Sequence, residues 1–220
     1  MKIFVFILCF VFLDGMNMRV TSHRTAKKCF LPKSQKINWN KIRGNWYEAL
    51  NKKSPLEKLL SCDTWSHVVP TKDGVKINLR NEDWKTHTYS VLPMFIRITK
   101  SGTGFWKPPT MKKWLASFKQ NSANHKIGKK LITELKSIQK AGFAFSTDYK
   151  TYFIIMSCGR HGEKYIWANA RHPYPTAESL LAIFNNLIKI GHGWNDEPLF
   201  MSQCVKISNI QPNPNSFLQK

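Results

Sequence analysis

Apolar and polar residues alternate in short runs along most of the chain, which is the period expected for half-buried β-strands. Lys72-Asp73-Gly74 lies between two of these runs and predicts a hairpin, because Asp-Gly favours tight two-residue turns. Pro93 interrupts another run and predicts a sheet edge or a bulge, because proline cannot donate to a strand ladder. The predicted strands are 45–51, 62–70, 75–83, 86–99, 143–146, 150–158 and 164–171.

One helix is predicted after the last strand. Thr176 can cap its start, and Glu178 lies in the first turn, where a negative charge suits the helix dipole. Lys189 and Gly191 mark its end. An apolar stripe along this helix predicts packing against a sheet, and it consists of Leu180, Leu181, Ile183, Phe184, Leu187 and Ile188.

The pattern is weaker between 107 and 140, where 112–119 suits a strand and 129–140 has helical spacing. The whole chain gives about eight short strands, and no helices alternate with them, so a parallel sheet is not expected. The predicted fold class is therefore all-β: an eight-stranded antiparallel up-and-down barrel, which leaves no sheet edge, with one C-terminal helix packed outside.

The N-terminus carries the pattern of a secretory signal peptide. Lys2 precedes an apolar run over 3–13, and polar and small residues follow, so cleavage is expected around 15–22. The run is too short for a bilayer core of roughly 30 Å, and no second apolar run of spanning length occurs. We predict a secreted, extracellular protein with a signal peptide at 1–22, a barrel domain at 23–208 and a flexible tail at 209–220.

Four cysteines remain once Cys9 leaves with the signal peptide. They are Cys29, Cys62, Cys158 and Cys204. An even number in an exported chain predicts two disulfides, and the absence of a C-x-x-C pair argues against a zinc site. Three connectivities are open at this point.

Three short motifs occur in a particular order relative to the strands. Gly44-Asn45-Trp46 opens the first strand, Thr147-Asp148-Tyr149 lies between two later strands, and Arg171 ends the last. With the cysteines and the late helix, the chain resembles the lipocalin family, closest to its apolipoprotein D and insect bilin-binding branch. The resemblance covers most of 29–205 and is thin between 84 and 140.

The resemblance implies a barrel plugged at its closed end by Trp46, with Arg171 laid across the indole as a cation–π partner. Gly44 lets the chain turn in before the plug, and Arg171 can also lock the loop that carries Thr147, Asp148 and Tyr149. It further implies the disulfides Cys29–Cys158 and Cys62–Cys204.

Strand alternation then selects the ligand-binding residues that line the cavity. If Cys158 faces outward to meet Cys29, Phe153 and Ile155 face inward. The family's inward pattern adds Tyr165, Trp167 and Asn169 on the next strand. Leu50 is expected above the plug on the first strand. On the second strand Trp65 is expected to face the cavity, and His67, two residues later, should face the same way. Such a lining suits a flat or elongated apolar molecule held by burial and one or two hydrogen bonds, although the same aromatics could simply fill the barrel.

The functional hypothesis is a secreted carrier of a small hydrophobic molecule, such as a fatty acid, retinoid, sterol or bilin. No resident cofactor or metal is predicted. Haem or bilin is considered only as a bound ligand; haem would need an inward imidazole, for which His67 has the phase. No nucleophile-elbow spacing occurs and carboxylates are scarce, so no catalytic residue is assigned and an enzyme is not expected.

The formal net charge of +21 is extreme. Twelve Lys or Arg stand between 97 and 150 against Glu134 and Asp148 alone, and we expect this region to supply the open end of the barrel. The charge could steer an anionic ligand, dock the protein on anionic lipid or a sulfated glycan, or serve only solubility. The alternative function is therefore a basic extracellular surface binder that uses the barrel as a scaffold. A nucleic-acid partner is not expected, because no such motif accompanies the charge.

Overall fold

A computed structural model describes residues 28–52, 62–82, 89–106, 133 and 136–204. The predicted signal peptide, the tail at 209–220 and the strand at 112–119 lie outside these residues. The described part contains a short 3-10 turn, η1 (Trp39–Ile42), and a long helix, α1 (Ala177–Ile190). Its strands are β1 (Trp46–Lys52), β2 (Cys62–Thr71), β3 (Gly74–Glu82), β4 (Tyr89–Ile98), β5 (Gly104–Trp106), β6 (Ala144–Thr147), β7 (Tyr152–Cys158), β8 (Lys164–Ala170) and β9 (Leu199–Met201).

The strands form one antiparallel sheet in the order β5-β4-β3-β2-β1-β8-β7-β6. Its two edges meet where Gly104 and Phe143 exchange backbone hydrogen bonds of 2.9 and 2.8 Å. β9 lies off this path and pairs with the last residues of β1. The predicted eight-stranded antiparallel barrel is therefore confirmed, and it is nearly closed.

The strand directions define the two ends of the barrel. β1 starts at the end where the β2–β3 hairpin, the β4–β5 hairpin and the 148–151 loop gather, and η1 precedes it there. We call this the closed end. β1, β3, β5 and β7 finish at the opposite, open end.

Helix α1 packs outside the barrel as predicted. The Thr176 side chain accepts a hydrogen bond from the Ser179 amide at 3.1 Å, and Gly191 ends the helix with φ +68°. Ile183 and Leu187 are buried against the outward side chains of β7 and β8. The prediction that the whole apolar stripe packs was wrong, because the stripe is wider than the contact; Leu181, Phe184 and Ile188 are exposed.

Both disulfides join the pairs that the resemblance implied. Cys29–Cys158 fixes the N-terminal arm to the end of β7, and Cys62–Cys204 joins the start of β2 to the segment after β9. Both close loops longer than a hundred residues, for which the chain-entropy model gives about 4–5 kcal/mol each as an upper figure. The disulfides therefore attach both ends of the domain to the barrel wall.

Two further details bear on the predicted elements. Residues 136–141 are helical, which agrees with the helical spacing seen over 129–140. β4 passes Pro93 without a bulge, and β5 accompanies only its last residues, Ile96–Ile98. Within the described chain Pro93 therefore has a strand neighbour on one side, which is the local edge that a proline requires.

Of the helices described, none is long and apolar enough to cross a membrane.

The tight packing around Gly104, where the two sheet edges meet, predicts that a larger residue at this position destabilises the barrel. A Cβ atom there would lie 2.7 Å from Ile96 Cγ2 and from two ring atoms of Phe145, a ring stacked on Phe153. We expect Gly104→Ala to lower the free energy of unfolding by about 1–3 kcal/mol through overpacking. Urea denaturation measures it, with Ser101→Ala, an exposed position in the adjoining hairpin, as the control. Equal stability of the two variants would contradict this closure.

Candidate functional site

The closed end is filled by Trp46, whose side chain is fully buried. Its indole Nε1 donates to the Ile42 carbonyl at 2.9 Å, so the polar edge of the ring is satisfied by η1. Gly44 turns the chain before the strand with φ +87°, a conformation that favours glycine. The plug is thus set by the turn that precedes it.

Arg171 covers the plug from below. Its guanidinium carbon lies 3.7 Å from the centroid of the Trp46 ring, a close cation–π contact. The same group donates to the carbonyls of Arg43 at 2.7 Å and Tyr149 at 3.2 Å. One side chain at the end of β8 therefore joins the N-terminal arm, the plug and the loop after β6.

Asp148 organises that loop. Its carboxylate accepts hydrogen bonds from the amides of Lys150, Thr151 and Tyr152 and from the Thr151 hydroxyl. Burial alone would raise the pKa of Asp148, but these hydrogen bonds outweigh it and hold the pKa below its ordinary value. Tyr149 adopts φ +68° in the resulting turn, and its hydroxyl accepts from the Asn38 amide at 3.0 Å. The second motif is therefore structural.

Aromatic rings fill the lower half of the barrel. Phe153 stands at their centre, with ring centroids 5.9 Å from Trp46, 5.4 Å from Trp65 and 5.9 Å from Phe145. Trp39 packs edge-on against Phe145 at 5.3 Å. These distances are those of direct ring contact, so the layer above the plug is packed core.

The aromatic lining changes character toward the open end. Tyr165 and Trp167 of β8 stack at 5.8 Å with an angle of 13° between their planes. Trp106 of β5 lies 4.8 Å from Phe143, and Trp167 lies 6.3 Å from the same ring. Trp106 and Trp167 are only partly buried, whereas the rings around Phe153 are buried. The upper half of the barrel therefore presents aromatic faces on its inner wall.

Six of the predicted lining residues lie on the inner wall. They are Trp65, Phe153, Ile155, Tyr165, Trp167 and Asn169. The side-chain amide of Asn169 donates to the Phe153 carbonyl at 3.0 Å, so this hydrogen bond joins β8 to β7. That these residues bind a ligand stays a prediction.

His67 and Leu50 do not line the interior, and both predictions are corrected by a β-bulge. In β2, three residue steps from Ser66 to Val69 match two on β3, which leaves His67 exposed at φ +50° and turns Val68 inward. The only predicted haem ligand is thereby removed from the cavity.

A second bulge corrects Leu50. In β1, two steps from Glu48 to Leu50 match one on β8, so Leu50 faces outward and packs in the cluster beneath α1. A strand register of two residues per repeat, applied without bulges, placed both side chains on the wrong face.

The inner wall carries polar residues that alternation alone did not select. Glu48 is paired with the inward Asn169, and Asn51 is paired with the inward Trp167. Both are buried, as is Asp63, which stands two residues before Trp65 on β2. The sequence does carry a signal for one of them. Glu48 lies two residues after Trp46, so a strand register anchored on an inward Trp46 also places Glu48 on the inner face.

Asp63 is held by Asn81, whose Nδ2 donates to its Oδ1 at 2.8 Å. Burial raises the pKa of Asp63 to about 6, and the hydrogen bond from Asn81 limits that rise. Near neutral pH this carboxyl is therefore close to its pKa, and it can accept hydrogen bonds inside the barrel.

The comparisons with known proteins support the fold. No protein-family model and no curated protein sequence matches the chain. The major allergen Per a 4 from cockroaches is 14% identical, with a TM-score of 0.52 over 81% of this chain and 98% of that one. Insecticyanin from the tobacco hornworm Manduca sexta is 10% identical, with a TM-score of 0.51 over 80% and 85%. At these identities the likeness shows the fold, which is that of the lipocalins.

Removing the plug tests the closed end. Because Trp46 is fully buried and covered by Arg171, we expect Trp46→Ala to lower the free energy of unfolding by about 3–5 kcal/mol. Chemical denaturation measures the change, and Tyr174→Ala, at an exposed aromatic, is the control. A variant with unchanged stability would refute the structural role given to the ring.

The buried carboxyl of Asp63 predicts a pH-dependent stability. Its folded pKa of about 6 exceeds the ordinary value of 3.8 for this side chain, so its contribution to stability is favourable at low pH and is lost as the pH rises through 6. Asp63→Asn keeps an acceptor for Asn81 and removes the charge. At pH 7.5 we expect the variant to be more stable by up to about 3 kcal/mol, with little difference near pH 3.5. Urea denaturation at both pH values decides, and a gain of equal size at both would contradict the assignment.

Proposed function

We propose that this lipocalin-fold protein is a secreted carrier of a small hydrophobic molecule. The observation that carries the proposal is the stacked Tyr165–Trp167 pair on the inner wall above the packed lower half of the barrel. Two stacked rings offer a flat apolar face at fixed orientation, which suits a planar or elongated ligand. Per a 4 and insecticyanin support a binding role in general through the shared fold.

The ligand lies, in this proposal, between the packed lower rings and the open end. Phe153 and the rings that contact it occupy the space directly above Trp46. Trp106 and Trp167 are only partly buried. Trp65, Phe153, Ile155 and Asn169 then form the floor, with Tyr165 and Trp167 as the wall.

The polar residues of the inner wall favour a neutral or donor-bearing ligand over an anionic one. Glu48 and Asp63 contribute carboxyl groups, and Asn51, Asn81 and Asn169 contribute amides. Among the described strand residues that face the interior there is no Lys, Arg or His. A buried carboxylate repels an anion at short range. Retinoid, sterol or amine ligands therefore suit the wall better than fatty acids or bilins do.

Secretion is supported by the two disulfides, which form and persist in oxidising compartments, and by the N-terminal pattern. The apolipoprotein D and insect bilin-binding branch remains our proposal for the place of the chain within the lipocalins. We propose binding without catalysis, because the sequence has few carboxylates and no nucleophile-elbow spacing.

A binding titration tests the carrier role. Retinol, cholesterol, palmitate and biliverdin would each be titrated while tryptophan fluorescence and native mass spectrometry follow the complex. We expect saturable one-to-one binding of at least one neutral probe, and Trp167→Ala to weaken it by about tenfold or more through lost apolar contact.

Trp194→Phe is the matched control, because Trp194 is buried outside the barrel beneath α1. It should leave the affinity unchanged. No saturable binding by any of the four probes, or equal losses in the two variants, would refute the proposed cavity.

A further inference from the structure

We infer that the closed end of the barrel is a docking surface for a sulfated polysaccharide. This inference is independent of the ligand proposed for the interior, since it uses the opposite end of the molecule. It rests on exposed cations that four separate segments bring together around the plug. They are Lys36, Lys41, Arg43, Lys72, Lys100 and Lys150, all exposed.

Backbone and side-chain contacts connect these segments. The Ser34 hydroxyl donates to the Gly102 carbonyl at 2.9 Å, which sets Lys36 beside the hairpin that carries Lys100. The Ile98 amide donates to the Asp73 carbonyl at 3.0 Å, which sets Lys72 beside the same hairpin.

The remaining cations join the cluster through the plug. Lys41 Nζ lies 5.6 Å from the centroid of the Tyr149 ring, next to Lys150. The Arg43 carbonyl accepts from Arg171 at 2.7 Å. The cations therefore share one end of the barrel although they are far apart in sequence.

These charges are weakly balanced. The exposed acids on the same loops are Asp73 and Asp148, and the Asp148 carboxylate is occupied by three amides and a hydroxyl of its own loop. In the described chain the salt bridges lie elsewhere: Glu197, after α1, lies 2.5 Å from Lys52 and 4.0 Å from Lys164, and Arg80 lies 3.0 Å from Glu82. The closed end is thus a net positive surface.

The chemistry of the loops favours a sulfated glycan over other polyanions. Of the large exposed apolar residues, Val69 and Tyr174 lie next to this end and none lies on 36–46, 71–74, 98–104 or 147–151, so the loops that carry the cations offer no apolar side chain to a bilayer. Stacking of nucleic-acid bases needs accessible aromatic faces, and Tyr149, the aromatic beside these cations, is half-buried. A hydrated, flexible chain of sulfates needs only an array of accessible Lys and Arg.

This placement corrects, for three of its twelve cations, the expectation that the basic region between 97 and 150 forms the open end. Arg97, Lys100 and Lys150 lie at or next to the closed end, and Lys136 and Lys140 lie in the helical segment before β6. The rest of that region is outside the described residues. Docking through the closed end leaves the mouth of the barrel facing away from the surface.

The test compares two variants of equal charge change in the full secreted chain. The closed-end variant carries Lys36→Gln, Lys72→Gln, Lys100→Gln and Lys150→Gln. The control carries Lys136→Gln, Lys140→Gln, Arg160→Gln and Lys189→Gln, which are exposed positions away from the closed end. Binding to heparin is measured at physiological salt by calorimetry and by the salt needed for elution.

We expect wild-type protein to bind heparin, the closed-end variant to bind at least about tenfold more weakly, and the control to change by less than about threefold. A third variant with the same four lysines changed to arginine should retain binding, which separates loss of charge from loss of fold.

Three outcomes would overturn the inference. The first is no wild-type binding to heparin at physiological salt. The second is an equal loss in the closed-end and control variants, which would mean that net charge alone acts. The third is binding to phosphatidylserine vesicles or double-stranded DNA that is as tight as heparin binding and equally sensitive to the closed-end variant, which would assign the surface to another partner.

Discussion

The contact between Arg171 and Trp46 is the constraint on which the closed end depends. A guanidinium 3.7 Å from an indole centroid gains a cation–π attraction, and its N–H groups simultaneously satisfy carbonyls of two loops. The Asn38 amide, which donates to the Tyr149 hydroxyl at 3.0 Å, is a second link between the arm and the loop. The contact thus fixes the arm that carries η1, the turn at Gly44 and the loop of Asp148 in one arrangement. The first ring layer of the barrel rests on that arrangement.

Much of this fold could be predicted because local signals agree with the global arrangement. The Asp73-Gly74 hairpin, the Thr176 cap and the strands β7 and β8 follow from turn chemistry and regular alternation. On β7 and β8 pairing is continuous, so one outward residue, Cys158, fixes the face of every other. The inward positions of Phe153 and Ile155 could therefore be assigned from alternation, and that of Trp167 from the inward pattern of the family that the chain resembles.

The wrong faces assigned to Leu50 and His67 have one physical cause, because a β-bulge depends on how strands pair in three dimensions. Inserting one residue shifts all later side chains to the opposite face, and neither Ala49 nor His67 is of a type that announces such an insertion. The bulge in β1 follows the departure of that strand from β2 toward β9, a pairing between residues about 150 positions apart. The hydrophobic periodicity of one strand carries no information about a partner strand so distant in the sequence. The exposed residues of α1 were missed for a related reason, because the width of a contact depends on the curvature of the barrel beneath it.

The distribution of charge joins these observations. A chain with a net charge of +21 nevertheless places Glu48 and Asp63 on the inner wall and its cations outside. Burying a carboxyl costs free energy, as the raised pKa of Asp63 records, whereas exposed lysines cost little. An interior used only as packed core would gain stability from apolar residues at these positions. In the functions we propose, these acids serve recognition by hydrogen bonding inside the barrel, and the external charge acts at a different place and on a different partner. The closed end that Arg171 holds in place would present such a partner with preorganised cations.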